Sequence, residues 1–298
     1  MSLTKYLIFP ALLFTSVAAQ ASSYDAIYAF GDSLSDNGSA HSTNPPSPYV
    51  GGRFSNGPVA IEYLANLLNA PLTDYAFAGA TTGTDNPDLV GTPYANTGML
   101  SQVNAYAASN AKADPNALYF LWAGGNDLLN AATTVPAINA AIQTAVANIV
   151  LEVNTLESMG AQHILIPNLS ALGLEPQVSV LGSAAISFAD QATIAFDTAL
   201  AAALPANVTQ FNTYVAVSAI IANAGAYGFT NTTDACFNGS TVCTNPNAYV
   251  FWDGLHPTTA ADQLLANEFA AAVVPLSPSF SFMLIGLGLM GRRMLRRA

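Results

Sequence analysis

Positive charge is scarce in this sequence. Only 7 of its 298 residues are Lys or Arg, against 18 Asp or Glu. Lys5 lies near the N-terminus and Arg292, Arg293, Arg296 and Arg297 near the C-terminus, so Arg53 and Lys112 alone face all 18 acidic residues between them. A body of that charge repels nucleic acid and offers no polybasic patch to an anionic membrane. Metal-binding residues are equally few. Two cysteines and three scattered histidines, His41, His163 and His256, match none of the usual zinc spacings. The chain also lacks an internal repeat and a linker that would divide it. With 52% hydrophobic and 8% charged residues, it is expected to form one domain with a sizeable core.

No uninterrupted apolar run at either end has the ~20 residues of a spanning helix. Lys5, the run Tyr6 to Ala19 and the small residues Ala19-Gln20-Ala21 follow the order of a secretory signal. Residues 1–21 are therefore read as a signal peptide, with the mature chain starting near Ser22 and the functional domain covering 22–274. The C-terminal segment, 275–298, combines Val274-Pro275, the short apolar stretch Phe280 to Met290 and the arginine-rich tail. That order resembles the PEP-CTERM sorting signal of some Gram-negative bacteria, with Leu276 where that family usually carries Glu. A sorting signal read by a dedicated enzyme and a plain membrane anchor both fit. Either reading expects an exported protein, secreted or held at the cell surface or outer membrane. In an exported chain the only two cysteines, Cys236 and Cys243, are expected to form a local disulfide.

Between the ends, apolar strands alternate with helical periods. Ala26-Ile27-Tyr28-Ala29, Asp74 to Ala78, Ala117 to Trp122, His163 to Ile166 and Val208 to Phe211 read as strands. Helical spacing appears over 59–68, 97–109, 136–159, 184–204 and 214–223, and Gly160 stops the longest of these. Five alternations predict a parallel sheet covered by helices on both faces, with ligands bound beyond the carboxyl ends of the strands. Gly38 to Pro58 is a long loop suited to a cleft wall, and His41 and Arg53 within it are read as solvated or as touching a substrate. His163, at the start of its strand, is expected to be a buried structural histidine.

Three polar sites follow the carboxyl ends of expected strands. Ser33, in Phe30-Gly31-Asp32-Ser33-Leu34-Ser35-Asp36-Asn37-Gly38, is placed at a sharp turn into a helix, where a hydroxyl stands clear of the sheet; Asp32 or Ser33 would equally cap that helix. Gly79 lets the backbone come close to whatever lies past its strand, as a plain turn glycine also would, and Asn126 either caps its turn or faces the same rim. Near the end, Trp252-Asp253-Gly254-Leu255-His256-Pro257-Thr258 holds Asp and His three apart on a loop. That spacing lets the carboxylate meet Nδ1 and leaves Nε2 free to take a proton from a serine.

Gly31-Asp32-Ser33-Leu34, Ala78-Gly79-Ala80, Gly124-Gly125-Asn126-Asp127 and Asp253-Gly254-Leu255-His256-Pro257-Thr258 together resemble the four blocks of the GDSL, or SGNH, hydrolase family. The resemblance runs from about Tyr24 to Phe269. It implies an α/β fold, a three-layer α/β/α sandwich with a five-stranded parallel sheet in the flavodoxin-like order 2-1-3-4-5. It also implies Ser33 as nucleophile, His256 as general base and acid, and Asp253 as the group orienting it. The backbone N–H groups of Ser33 and Gly79 and the side-chain amide of Asn126 would form the oxyanion hole. No cofactor or metal is implied. The expected partner is a small-molecule or lipid ester, and the motifs look most like the bacterial branch of secreted lipolytic esterases and phospholipases. A polysaccharide O-deacetylase or an acyltransferase on the same fold is the alternative, and a surface binding or matrix protein is the reading from outside enzymology.

Overall fold

The computed structural model describes residues 24–40 and 45–274. The signal and anchor segments expected at the two ends, and His41, lie outside them. The elements in order are β1 (Ile27–Gly31), α1 (Ala60–Leu68), β2 (Leu72–Asp74), α2 (Met99–Ser109), β3 (Leu118–Trp122), α3 (Gly125–Leu129), α4 (Val135–Met159) and β4 (His163–Pro167). They continue as α5 (Pro176–Ser179), α6 (Ser183–Ala203), β5 (Thr209–Phe211), α7 (Thr213–Ala222), β6 (Asn231–Ala235), β7 (Tyr249–Phe251) and α8 (Thr259–Val273).

Five strands form one parallel sheet in the order β2-β1-β3-β4-β5, and β6 and β7 form a separate two-stranded sheet. Alternation along each central strand builds a layer on each face. Tyr28, Phe30, Tyr119, Leu121, Ile164 and Ile166 pack with α2, α4 and α6, whereas Ile27, Ala29, Leu118, Phe120, Trp122 and Leu165 pack with α1 and α8. The stripe Ile138, Ile142, Val146, Ile149, Val153 and Leu156 of α4 is buried, and Gly160 ends that helix in the left-handed region at φ 109°. The strand order reverses at β1, with β2 on one side and β3 on the other, which puts a crevice beyond the carboxyl ends of β1 and β3.

Three local expectations are corrected. The second strand is Leu72–Asp74 and not Asp74 to Ala78. The chain still runs beside β1 afterwards, Tyr75 and Phe77 donating to the Ala29 and Gly31 carbonyls, but the Asp74 carboxylate takes the Ala76 and Asn37 N–H groups and breaks the ladder there. No helix follows Ser33. A single turn closes with Ser35 and Asp36 donating to the Asp32 carbonyl, and the Asp36 carboxylate then holds the Gly38 and Ala78 N–H groups, which turns the chain away. His163 is exposed, its ring edge-on to Tyr24 at 5.4 Å. It sits at the amino end of β4, opposite the rim where the crevice opens.

Candidate active site

The end of β1 is held with little freedom. A Cβ on Gly31 would lie 2.2 Å from the Trp122 carbonyl oxygen, so only glycine lets β1 and β3 approach there. The buried Gln102 side chain bonds both backbone groups of Gly31, accepting from its N–H at 2.8 Å and donating to its carbonyl at 2.8 Å. Two residues later stands Ser33. Asp32 caps the turn by accepting the Leu34 N–H at 3.0 Å, while the Ser33 hydroxyl points elsewhere.

That hydroxyl lies 2.7 Å from His256 Nε2, across 223 residues of sequence. His256 and Asp253 come from the loop after β7. Asp253 Oδ1 accepts the Leu255 and His256 backbone N–H groups at 2.8 and 2.7 Å, which folds the loop back on itself. His256 Nδ1 is then 2.8 Å from Oδ2 and 3.0 Å from Oδ1. A carboxylate only accepts, so Nδ1 carries the proton and Nε2 is the acceptor facing Ser33 Oγ. All three side chains are buried. Burial acts to raise Asp253, but the His256 ring and the loop N–H groups outweigh it and hold the carboxyl below its ordinary value.

Ser33 and Asn126 line one cavity; Gly79 does not reach its wall. The link to Gly79 runs through its neighbour, since Asn126 Nδ2 donates to the Ala80 carbonyl at 3.0 Å and keeps a second N–H. Gly79 has φ +80°, and a Cβ there would meet Asn86 Oδ1 at 2.6 Å. Neither the Ser33 nor the Gly79 N–H donates to another of the described residues. Asp127 fastens this loop to α3, accepting from the Thr82 N–H at 2.9 Å and its hydroxyl at 2.7 Å.

Two concavities flank the Ser33–His256 pair. One is a narrow slot of about 70 Å³, walled by Trp122, Leu129, Leu172, Val217, Ile220, Phe251 and Leu265 among others. The other is an open cleft walled by Tyr49, Phe54, Phe237, Gln177, Asp234 and Asn238, with no Lys or Arg among the described residues of its wall. The loop after Gly38 thus supplies cleft wall as expected, through Tyr49 and Phe54. Arg53 does not: its guanidinium grips Glu62 in a two-pronged pair at 2.6 and 2.7 Å. Cys236 and Cys243 are joined, with Cα atoms 4.8 Å apart, directly after β6 and beside this cleft. Sequence reasoning missed Tyr49, Gln102 and Asp127, because each works on a partner distant in the chain. Among the described residues no cluster of His, Cys, Asp or Glu is arranged to hold a metal ion.

Several carboxyls in and under the site are protonated more readily than usual. Burial pushes Asp32 up to about 7, against opposing help from the Leu34 N–H and His256. Burial likewise raises Asp74, Glu152 and Glu175 well above the ordinary carboxylate value. The folded state keeps these protons at pH values where an unfolded chain has released them, so stability falls as pH rises from about 4 through 7. Asp253 works the other way, and its contribution is lost only as pH falls below the ordinary carboxylate range. The thermal midpoint is expected to be at least ~5 °C higher at pH 5 than at pH 8 in circular dichroism melts at matched ionic strength. A midpoint that is flat or rises over that interval would show that these buried acids ionise without penalty.

Residues 27–269 match the family described as GDSL-like Lipase/Acylhydrolase, and the chain belongs to that family. The thermolabile hemolysin of Vibrio parahaemolyticus is 26% identical over 283 residues, an alignment covering 84% of this chain and 64% of that protein. Esterase EstA of Pseudomonas aeruginosa is 28% identical over 314 residues, covering 86% of this chain and 48% of EstA. The chain therefore spans about two thirds or less of these bacterial relatives. Acetylajmalan esterase 2 of Rauvolfia serpentina is 27% identical, with 80% of this chain and 87% of that protein covered. Among solved structures, an acetyl xylan esterase from Geobacillus stearothermophilus superposes with a TM-score of 0.48 at 13% identity, over 84% of this chain and 94% of that one.

Proposed function

We propose that this protein hydrolyses carboxylic esters through an acyl-enzyme on Ser33. The observation that carries the reading is the unbroken relay from Asp253 through His256 to the Ser33 hydroxyl. His256 Nε2 takes the Oγ proton as Oγ attacks the ester carbonyl carbon, and Asp253 holds the tautomer and stabilises the imidazolium. The carbonyl oxygen becomes an oxyanion, for which the Ser33 N–H and the spare Asn126 amide N–H are the donors at the cavity wall, with the Gly79 N–H, which donates to none of the described residues, as the third donor set behind them. His256 then protonates the departing alcohol oxygen. Water, activated by the same imidazole, releases the acid and restores Ser33.

The two concavities divide the substrate. The apolar slot takes the acyl chain, and its narrow section suits an unbranched one. The open cleft takes the alcohol, and Asp234 in its wall, with no Lys or Arg among its described residues, disfavours an anionic alcohol part. The apolar lining of the slot favours an alkyl acyl chain over an acetyl group, because a longer chain meets more of that lining. An exported, surface-held enzyme is the setting that suits the Cys236–Cys243 bridge, because disulfides persist in oxidising compartments.

The test is a p-nitrophenyl ester series from acetyl to palmitoyl. Each methylene buried contributes ~0.8 kcal/mol, about fourfold in kcat/KM where the chain is fully enclosed. The expected result is a rise of at least ~50-fold from acetyl to hexanoyl. An optimum at acetyl would favour the deacetylase reading, and no turnover of any member would favour a binding protein.

A further inference from the structure

Tyr49 stands on the loop after Gly38, more than two hundred residues before the Asp–His pair, yet its hydroxyl donates to Asp253 Oδ2 at 2.7 Å. The direction of that bond is settled by chemistry, because an ionised carboxylate has only lone pairs to offer. Oδ2 is also the oxygen nearer His256 Nδ1, at 2.8 Å. One oxygen therefore serves both the tyrosine and the imidazole. The ring is held in place rather than free to swing. Phe54 lies 5.3 Å from it, Phe237 meets it edge-on at 5.7 Å and Trp252 at 6.4 Å. Phe54 in turn lies 5.2 Å from the His256 ring. Phe237 follows Cys236 of the disulfide and stacks on Trp252 at 6.0 Å. Tyr49, Phe54 and Phe237 all lie outside the four sequence blocks.

We propose that Tyr49 is a positioning residue that sets both the orientation of the Asp253 carboxylate and the basicity of His256. This rests on the reading of Ser33, His256 and Asp253 given above. The physical argument has two parts. A donor fixed by packing pins Oδ2, so the carboxylate plane stays aligned with the imidazole. The same donor also draws negative charge from Oδ2, so Asp253 supports the imidazolium less strongly than it would alone. Removing the hydroxyl should leave Asp253 better able to hold a proton on His256, raising the pH at which the imidazole becomes a base. Among the described residues, the other ionisable groups near the pair are Asp32 in the turn after β1 and Glu175 before α5, both buried, and Asp234 of β6 in the wall of the same cleft. None of them is altered by changing Tyr49, so a difference between the variants reports on the tyrosine hydroxyl.

The experiment compares the wild type, Tyr49→Phe and Ser33→Ala on one p-nitrophenyl ester, over a pH series, with the His256 imidazole titrated in parallel by NMR. Tyr49→Phe keeps the ring and its packing, so a purely structural role predicts wild-type kinetics and an unchanged titration. The expected result for Tyr49→Phe is a fall of ~3- to 30-fold in kcat with KM within about twofold, and an acid limb of kcat/KM moved up by about half a pH unit. The His256 titration should move upward by the same amount. An unmoved titration and pH profile would overturn the proposal. The imidazole titration does not depend on turnover, so it tests Tyr49 even if Ser33→Ala keeps its activity and the reading of the serine fails.

Discussion

Ser33→Ala is expected to lower kcat/KM by at least ~10⁴-fold while the fold survives. On the proposed mechanism the loss follows from chemistry, since without Oγ there is no atom to carry the acyl group and His256 Nε2 has nothing to deprotonate. What remains is the background that the oxyanion donors and substrate binding supply without covalent catalysis. The stability side is small by comparison. The Ser33 side chain makes one hydrogen bond, to His256, and such a bond is worth ~1 kcal/mol net. Alanine removes only the oxygen and opens no large cavity. Esterase assays paired with thermal melts check both halves, and a fluorophosphonate should label the wild type but not the variant. A variant that keeps a tenth or more of wild-type activity would remove Ser33 from the mechanism.

Asn126→Ala is expected to reduce kcat by ~10²- to 10³-fold with little change in KM. In the proposed role the amide meets an anion only when charge develops on the carbonyl oxygen, so its loss falls on the transition state and not on the ground state. The substitution also removes the bond to the Ala80 carbonyl, which ties α3 to the Gly79 loop. That loop has a separate fastening in the two bonds from Thr82 to Asp127, and Asn148 donates to the Thr82 hydroxyl at 3.1 Å. The loop should therefore stay in place, and the kinetic loss should exceed any loss of stability. A raised KM with kcat unchanged would instead make Asn126 an ordinary binding contact.

Some features of the site were legible because their causes are local. Asp253 and His256 sit three apart on a loop, and the bonds from the Leu255 and His256 N–H groups to Asp253 Oδ1 are made within that loop. The turn after Phe30-Gly31 was legible for the same reason, as was the stripe of α4, which repeats with the helical period. Errors arose where a distant group intervened. Asp74 ended its strand early because its carboxylate bonds Asn37, and the turn after Ser33 did not become a helix because Asp36 reaches Ala78. His163 has the residue type and strand position of a buried histidine, but nothing in the local pattern says that its end of β4 faces water.

From the sequence alone came the alternation of strand and helix, the family, Ser33, Asp253 and His256 as candidate residues, and the acidic character of the body. These are properties of residue type and short spacing, which dihedral preference and hydrophobic period determine before any long-range contact forms. Only the tertiary structure brought Ser33 Oγ within 2.7 Å of His256, set Tyr49 on Asp253, and closed Leu129, Leu172, Ile220 and Phe251 into one apolar slot. Those outcomes depend on how the sheet order and the packed helices carry residues from one end of the chain to the other. Contacts of that kind have no short-range signature, because their partners are chosen by burial of the whole core.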